Sequence, residues 1–210
     1  MSKYDFKIVC KIPAVMEASS CRRVWPQWQG KGRAYENPEL LISVIPDQRL
    51  RLVAKIELEG GARAEGIGFP ANSYSKSRLQ MENLLGVKTD PFLGDQFHVG
   101  QIITTEKNGL HGNHYISAGT YEELEAYIKH HGYLAGQYSE YLSAINDAAR
   151  KTGQFIKGRG THGLKHCFAQ RFYAMALSVG KTRVEAEYET SARCNHSRGD
   201  VFRSYYSGRR

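Results

Sequence analysis

Residues 159–206 constrain this chain more than any other stretch: they open R-G-T-H-G-L-K-H-C-F-A and close C-N-H-S-R-G-D-V-F-R-S-Y-Y. His162 and Lys165 stand three apart, so on a helix they share a face. Gly160-Thr161 reads as a loop and N-cap, which puts His162 in the first helical turn. Free amides and the positive end of the helix dipole favour an anion there. The far half adds His196, Arg198, Arg203, Tyr205 and Tyr206. Histidines and cations gathered around tyrosyl hydroxyls suit a phosphate group. His162 and His166 at i and i+4, with Cys194 and His196, could instead ligate zinc, although no H-E-x-x-H or C-x-x-C accompanies them.

The charge distribution points the same way. Residues 150–210 carry thirteen Lys/Arg against four Asp/Glu, 38–149 nine against fourteen, and 1–37 seven against three. That asymmetry, within a net charge of +8, is the footprint of a polyanion-binding face; a solvated basic surface is the plainer alternative. A chain of 210 residues can hold one domain with a full core. No apolar run reaches membrane-spanning length, and the N-terminus lacks a signal-peptide pattern. Cys10, Cys21, Cys167 and Cys194 are widely spaced, as suits reduced thiols in the cytoplasm.

Along the chain, residues 1–37 offer one short strand candidate and an irregular loop rich in Trp and Gly. Their cations Arg22, Arg23, Lys31 and Arg33 either touch a DNA backbone or form a solvated arm. A helix begins at Asn37-Pro38 with proline in its first turn, and after Pro46 an apolar run leads from Leu50 to Gly60-Gly61. A short helix is expected around 79–85 and a Pro/Gly loop at 90–95. Val99, Ile102 and Ile103 form one strand of a hairpin and residues 114–116 the other, turned by Lys107-Asn108-Gly109. His98, His111 and His114 read as surface groups of that hairpin. Thr120 with Glu123 forms a capping box for a helix ending at His131. Helices over about 136–152, 161–179 and 184–192 follow.

The H-G-L-K-H and N-H-S-R-G-D-V-F-R-S-Y boxes resemble the C-terminal signature of the tyrosine recombinases, the family of phage integrases and of Xer- and Cre-type enzymes. That signature reads H-x-L-R-H, then G-H-S, then a nucleophilic tyrosine nine residues beyond the second histidine. Tyr205 stands nine after His196 and Tyr206 ten, so Tyr205 is the better match. E-G-G-A-R-A-E-G resembles the T-G-L-R-x-x-E box and marks Arg63; Glu65 comes one place early for its acid. Lys107 resembles the hairpin-tip lysine that protonates the leaving 5′ oxygen.

The resemblance runs from about residue 38 to the end. It implies an α+β, mainly α catalytic domain at 38–210, with a small antiparallel sheet on a helical core. Residues 1–37 would be an arm or linker remnant, too short for a separate core-binding domain. The implied function is a site-specific recombinase or integrase of a mobile genetic element, working through a 3′-phosphotyrosine without metal, ATP or other cofactor. Its catalytic set would be Tyr205, Arg63, Lys107, His162, Lys165 and His196, with Arg159, Arg198 and Arg203 on DNA. The implied partners are double-stranded recombination sites and further copies of the chain, as a tetramer, in a prokaryotic or phage-bearing cytoplasm and on no membrane. Two departures stand out: Lys165 replaces an arginine, offering a point charge instead of a bidentate fork, and Asn195 replaces a glycine. Lys165 therefore keeps open a second expectation, a DNA-binding protein on the same fold with impaired catalysis.

Overall fold

The computed structural model describes residues 33–71, 77–106, 109 and 111–196. Asn37 starts helix α1 (Pro38–Ser43), its side chain accepting from the Leu40 amide at 3.0 Å. Asp47 does the same for α2 (Gln48–Gly60) through Leu50. Leu50, Leu52, Val53, Ala54 and Ile56 of α2 are all buried, because α2 packs against the sheet on one side and later helices on the other. Gly61 ends it in the left-handed region at φ 67°. A Cβ there would sit 2.4 Å from the Phe168 ring, so only glycine fits both the turn and the contact. The one-turn helix α3 (Ala64–Ile67) follows at once, with Arg63 as its N-cap residue.

Three strands come next, β1 (Leu84–Asp90), β2 (Gly94–Thr105) and β3 (His111–Ser117), in an antiparallel sheet of order β1-β2-β3. Ile102 opposes His114 and Gly100 opposes Ile116. The helix expected at 79–85 is replaced by a 3-10 turn, Met81–Asn83, running into β1. Pairing with the long β2 outweighs the good helical propensity of the Leu, Gln, Met and Glu in this segment. The hairpin itself matches expectation in its strands and turn position, with Gly109 at φ 72°. Its tip residues Lys107 and Asn108 lie outside the described residues.

Helix α4 (Ala118–His131) is capped by Ser117, which accepts from the Thr120 amide at 3.2 Å. The expected Thr120–Glu123 capping box is absent. The Thr120 hydroxyl donates to Glu59 at 2.9 Å and Glu123 pairs with Lys55, so both side chains serve tertiary contacts to α2. Helix α5 (Tyr138–Lys151) buries Tyr141, Ile145, Ala148 and Ala149 along one stripe. Helix α6 (His162–Ser178) buries thirteen of its residues in succession or nearly so, as a helix must when neighbours surround it. Thr161 precedes it but makes no side-chain cap hydrogen bond, contrary to the capping expected of it. Tyr35, within the segment read as an arm, is buried, its hydroxyl donating to the Gly160 carbonyl at 2.9 Å. Among the described residues, no helix is long and apolar enough to cross a membrane.

Helix α7 (Arg183–Arg193) starts with the capping box of Thr182 and Glu185. Its far end is fixed by Arg193, which donates to both Asp90 oxygens at 2.7 Å and to Glu189 at 2.9 Å. The guanidinium also lies 4.3 Å from the Phe172 ring centroid and 4.4 Å from that of Tyr115. Burial opposes ionisation of Asp90, but the Arg193 bonds and charge outweigh it and hold the carboxyl below its usual range. This pair ties α7, and with it residues 194–196, to the sheet. Asp90→Ala should lower the unfolding free energy by about 3–5 kcal/mol in urea titration, because it strands a buried guanidinium. A loss under about 1 kcal/mol, the value of an exposed pair, would show that the bridge does not hold the helix.

Candidate active site

Three remote segments converge beside α6. Arg63 leaves the Gly61 turn with its side chain 32% exposed, so its guanidinium reaches solvent while its backbone is held. Lys165 lies one turn into α6 and is only 1% exposed. Its Nζ donates to the Cys194 carbonyl at 2.9 Å, at the C-terminal end of α7, where the helix dipole welcomes a cation. Directly beyond, Asn195 adopts φ 57°, a left-handed conformation that glycine and asparagine tolerate best. That geometry makes its replacement of a glycine conservative. The turn brings the His196 amide back to the Ser191 carbonyl at 3.0 Å.

The four groups feel one another. His162 is exposed at the start of α6, yet crowding by protein atoms, then the fields of His166, Lys165, Arg33 and Arg63, push it down to about 3. His196 is pushed down to about 4 by partial burial and then by Lys165 and Arg63. Burial also lowers Lys165, against the opposing pull of Cys194, Glu106 and Glu57. Both imidazoles are therefore neutral at pH 7, and the guanidinium of Arg63 supplies fixed positive charge. A cluster whose members depress one another's protonation is one that an added anion would stabilise.

Two buried carboxylates underlie it. Glu106 Oε1 accepts from the Arg63 amide at 3.1 Å, and Oε2 lies 3.5 Å from Arg63 Nη1. Glu57 accepts from the next amide, Ala64, at 2.9 Å and from the Tyr141 hydroxyl at 2.7 Å. Their charge states differ. For Glu106, burial is overcome by His114, by Lys165 and by the Arg63 amide, and the carboxyl falls to about 2. For Glu57, burial prevails over Tyr141, Ala64 and Lys165, and the carboxyl rises to about 8. Neither acid was singled out in the sequence. The available signal was alternation: Ile102, Thr104 and Glu106 share the buried face of β2, and an acid on that face needs a cation.

Several expectations are corrected here. The acid against Arg63 is Glu106 and not Glu65. His114 is no surface group: it is fully buried, with Nδ1 2.8 Å from the Gly60 carbonyl and Nε2 3.1 Å from Thr104 Oγ1. Arg159 is turned inward, 7% exposed, donating to the Gln154 carbonyl at 2.9 Å and lying 5.1 Å from the Tyr35 ring centroid. It holds the loop before α6. Tyr205, Lys107, Arg198 and Arg203 lie outside the described residues. Among the described residues no group of three or more His, Cys, Asp or Glu could hold a metal ion; His162 and His166 meet edge to face, with ring centroids 5.1 Å apart.

The two acids predict a pH effect. Folded Glu57 keeps its proton to about pH 8, against about 4.5 as the ordinary value. The folded state then binds the extra proton between those values, and its stability falls as pH rises across that window. Glu57→Gln, which can still accept from Ala64 and meet Tyr141, removes the effect. Its melting temperature should exceed that of the wild type by several degrees at pH 9 and match it near pH 4.5. Parallel melting curves for the two proteins across pH 4.5–9 would refute the protonated Glu57.

No protein-family profile matches the sequence, and no curated protein does. Solved structures do. The chain is similar to the XerH site-specific recombinase bound to a palindromic difH substrate in a post-cleavage complex, at a TM-score of 0.57 and 15% identity. It is similar at a TM-score of 0.56 and 14% identity to XerH bound to difH in a pre-cleavage complex. Both matches cover 84% of this chain and 50% of the other, so the chain spans about half the length of those recombinases. This chain has the fold of the tyrosine recombinase catalytic domain.

Proposed function

We propose that the protein is a site-specific DNA recombinase that cuts and rejoins strands through a 3′-phosphotyrosine. The observation that carries this reading is the convergence of three distant parts of the chain: Lys165 bonds the Cys194 carbonyl two residues before His196, and Arg63 and Lys165 both act on His162 and His196. The similarity to recombinases solved on their DNA before and after cleavage supports the same chemistry. Tyr205 Oη would attack phosphorus, forming the tyrosyl ester as the bond to the 5′ oxygen breaks. The phenol must lose its proton, and a neutral imidazole of the cluster can accept it. The phosphodiester anion itself would raise the depressed histidine pKa values and so make them better bases. Lys107 would return a proton to the leaving 5′ oxygen. Arg63 and Lys165 would face the charge gathering on the nonbridging oxygens. Reversal onto another 5′ hydroxyl rejoins the strand, with no metal or nucleotide required by the balance of atoms.

In this reading the substrate is double-stranded DNA at specific recombination sites. Arg198 and Arg203 contact its backbone, and copies of the chain pair sites as a tetramer in the nucleoid of a cell that carries a mobile element. Residues 1–37 serve as an arm and 38–210 as the catalytic domain. A second reading is favoured by Lys165, whose ammonium is buried and already bonded to a carbonyl. A point charge so committed grips phosphate less well than a guanidinium fork, as in a DNA-binding protein with impaired turnover.

The test is a suicide-substrate assay with nicked DNA from the protein's own element, read as a covalent adduct on a denaturing gel. An adduct is expected from the wild type and from Tyr206→Phe, and none from Tyr205→Phe. Lys165→Arg should accelerate it, by on the order of 10² if the lysine is an impairment. Salt-sensitive binding without an adduct from the wild type or from Lys165→Arg would leave the binding protein as the answer.

A further inference from the structure

We infer that Glu106 is the positioning residue of Arg63; this rests on the recombinase reading above. One carboxylate meets both the backbone and the side chain of the arginine. Its Oε1 holds the Arg63 amide at 3.1 Å and lies 3.4 Å from His114 Nε2, while Oε2 faces the Arg63 guanidinium at 3.5 Å. The carboxylate has no exposure to water, so its hydrogen bond to the Arg63 amide is little screened, while Oε2 stands within ion-pair range of the guanidinium without a hydrogen bond to it. The Arg63 backbone and side chain are thus referred to one point at the end of β2.

The surroundings are shaped for the carboxylate. A Cβ at Gly66 would lie 2.9 Å from Glu106 Cγ and 3.0 Å from Thr104 Oγ1. The missing side chain of Gly66 is therefore the space that Glu106 fills, reaching from the sheet across the face of α3 to Arg63. Neither Glu65 nor any other residue of α3 supplies the contact. The depressed carboxyl of Glu106 keeps it ionised throughout the working range, so the arginine stays aimed at all pH values compatible with folding.

A simple structural staple and a positioning residue predict different kinetics. Glu106→Gln keeps the size and one acceptor but removes the charge. It should slow adduct formation on the suicide substrate by about 100-fold, the cost of a misplacement of about 1 Å, with DNA affinity unchanged. Placed on Arg63→Lys, the same change should cost no more than about twofold, since Glu106 acts through the guanidinium. Gly66→Ala, which removes no charge but presses on Glu106, should reproduce the slow rate and so guards against a variant that merely fails to fold. Wild-type rates in Glu106→Gln and Gly66→Ala would overturn the role while leaving the recombinase reading intact. Losses that add fully on Arg63→Lys would also overturn it, assigning Glu106 to the fold alone. No adduct from the wild type would remove the recombinase reading, and the positioning role with it.

Discussion

A lysine side chain sealed from water is the constraint around which this structure is arranged. Burying its amine, above all as a cation, costs several kcal/mol unless acceptors and counter-charge accompany it. Lys165 finds a carbonyl at the end of α7 and the field of Glu106. Those needs bring α6, α7, the end of β2 and the Gly61 turn to one place. Each element that satisfies the lysine also presents another group of the site: His162 from α6, His196 beyond α7, Arg63 after the turn. The histidines need not be charged for this, and they are not.

The two acids show how environment divides labour between identical functional groups. Both are buried and both cap amides at the start of α3, yet one is ionised and the other protonated near neutrality. Glu106 has cationic neighbours on two sides; Glu57 has a tyrosine, an amide and a second carboxylate nearby. With Glu57 neutral, Glu106 is the negative partner beneath Arg63, whose guanidinium is the part of the cluster that reaches solvent.

Much of this was legible in the sequence, for reasons that differ by residue. The boxes around His162, Lys165 and His196 were readable because helical spacing and chain order preserve them. The hairpin was readable because Asn-Gly between apolar runs has few other uses. The Thr120–Glu123 box failed because Glu59 and Lys55, over sixty residues away, offered better partners than the local amides. The inward turn of Arg159 was hidden too: a cation beside a basic motif looks like a phosphate ligand, and its contacts with Tyr35 and the Gln154 carbonyl are tertiary. His114 and Glu106 were hidden because strand alternation tells which face a residue takes, not that two polar residues will meet there. The acid of the Arg63 box was sought near the arginine in sequence, and the fold brought it from the neighbouring sheet.

The Tyr35–Cys167 contact joins residues 132 apart in sequence, and Arg193 reaches Asp90 across 103. Closing contacts of such span costs loop entropy that local contacts do not. Arg63, Lys165 and His196 come from three distant parts of the chain, so the geometry of the cluster belongs to the assembled fold and to none of its segments alone.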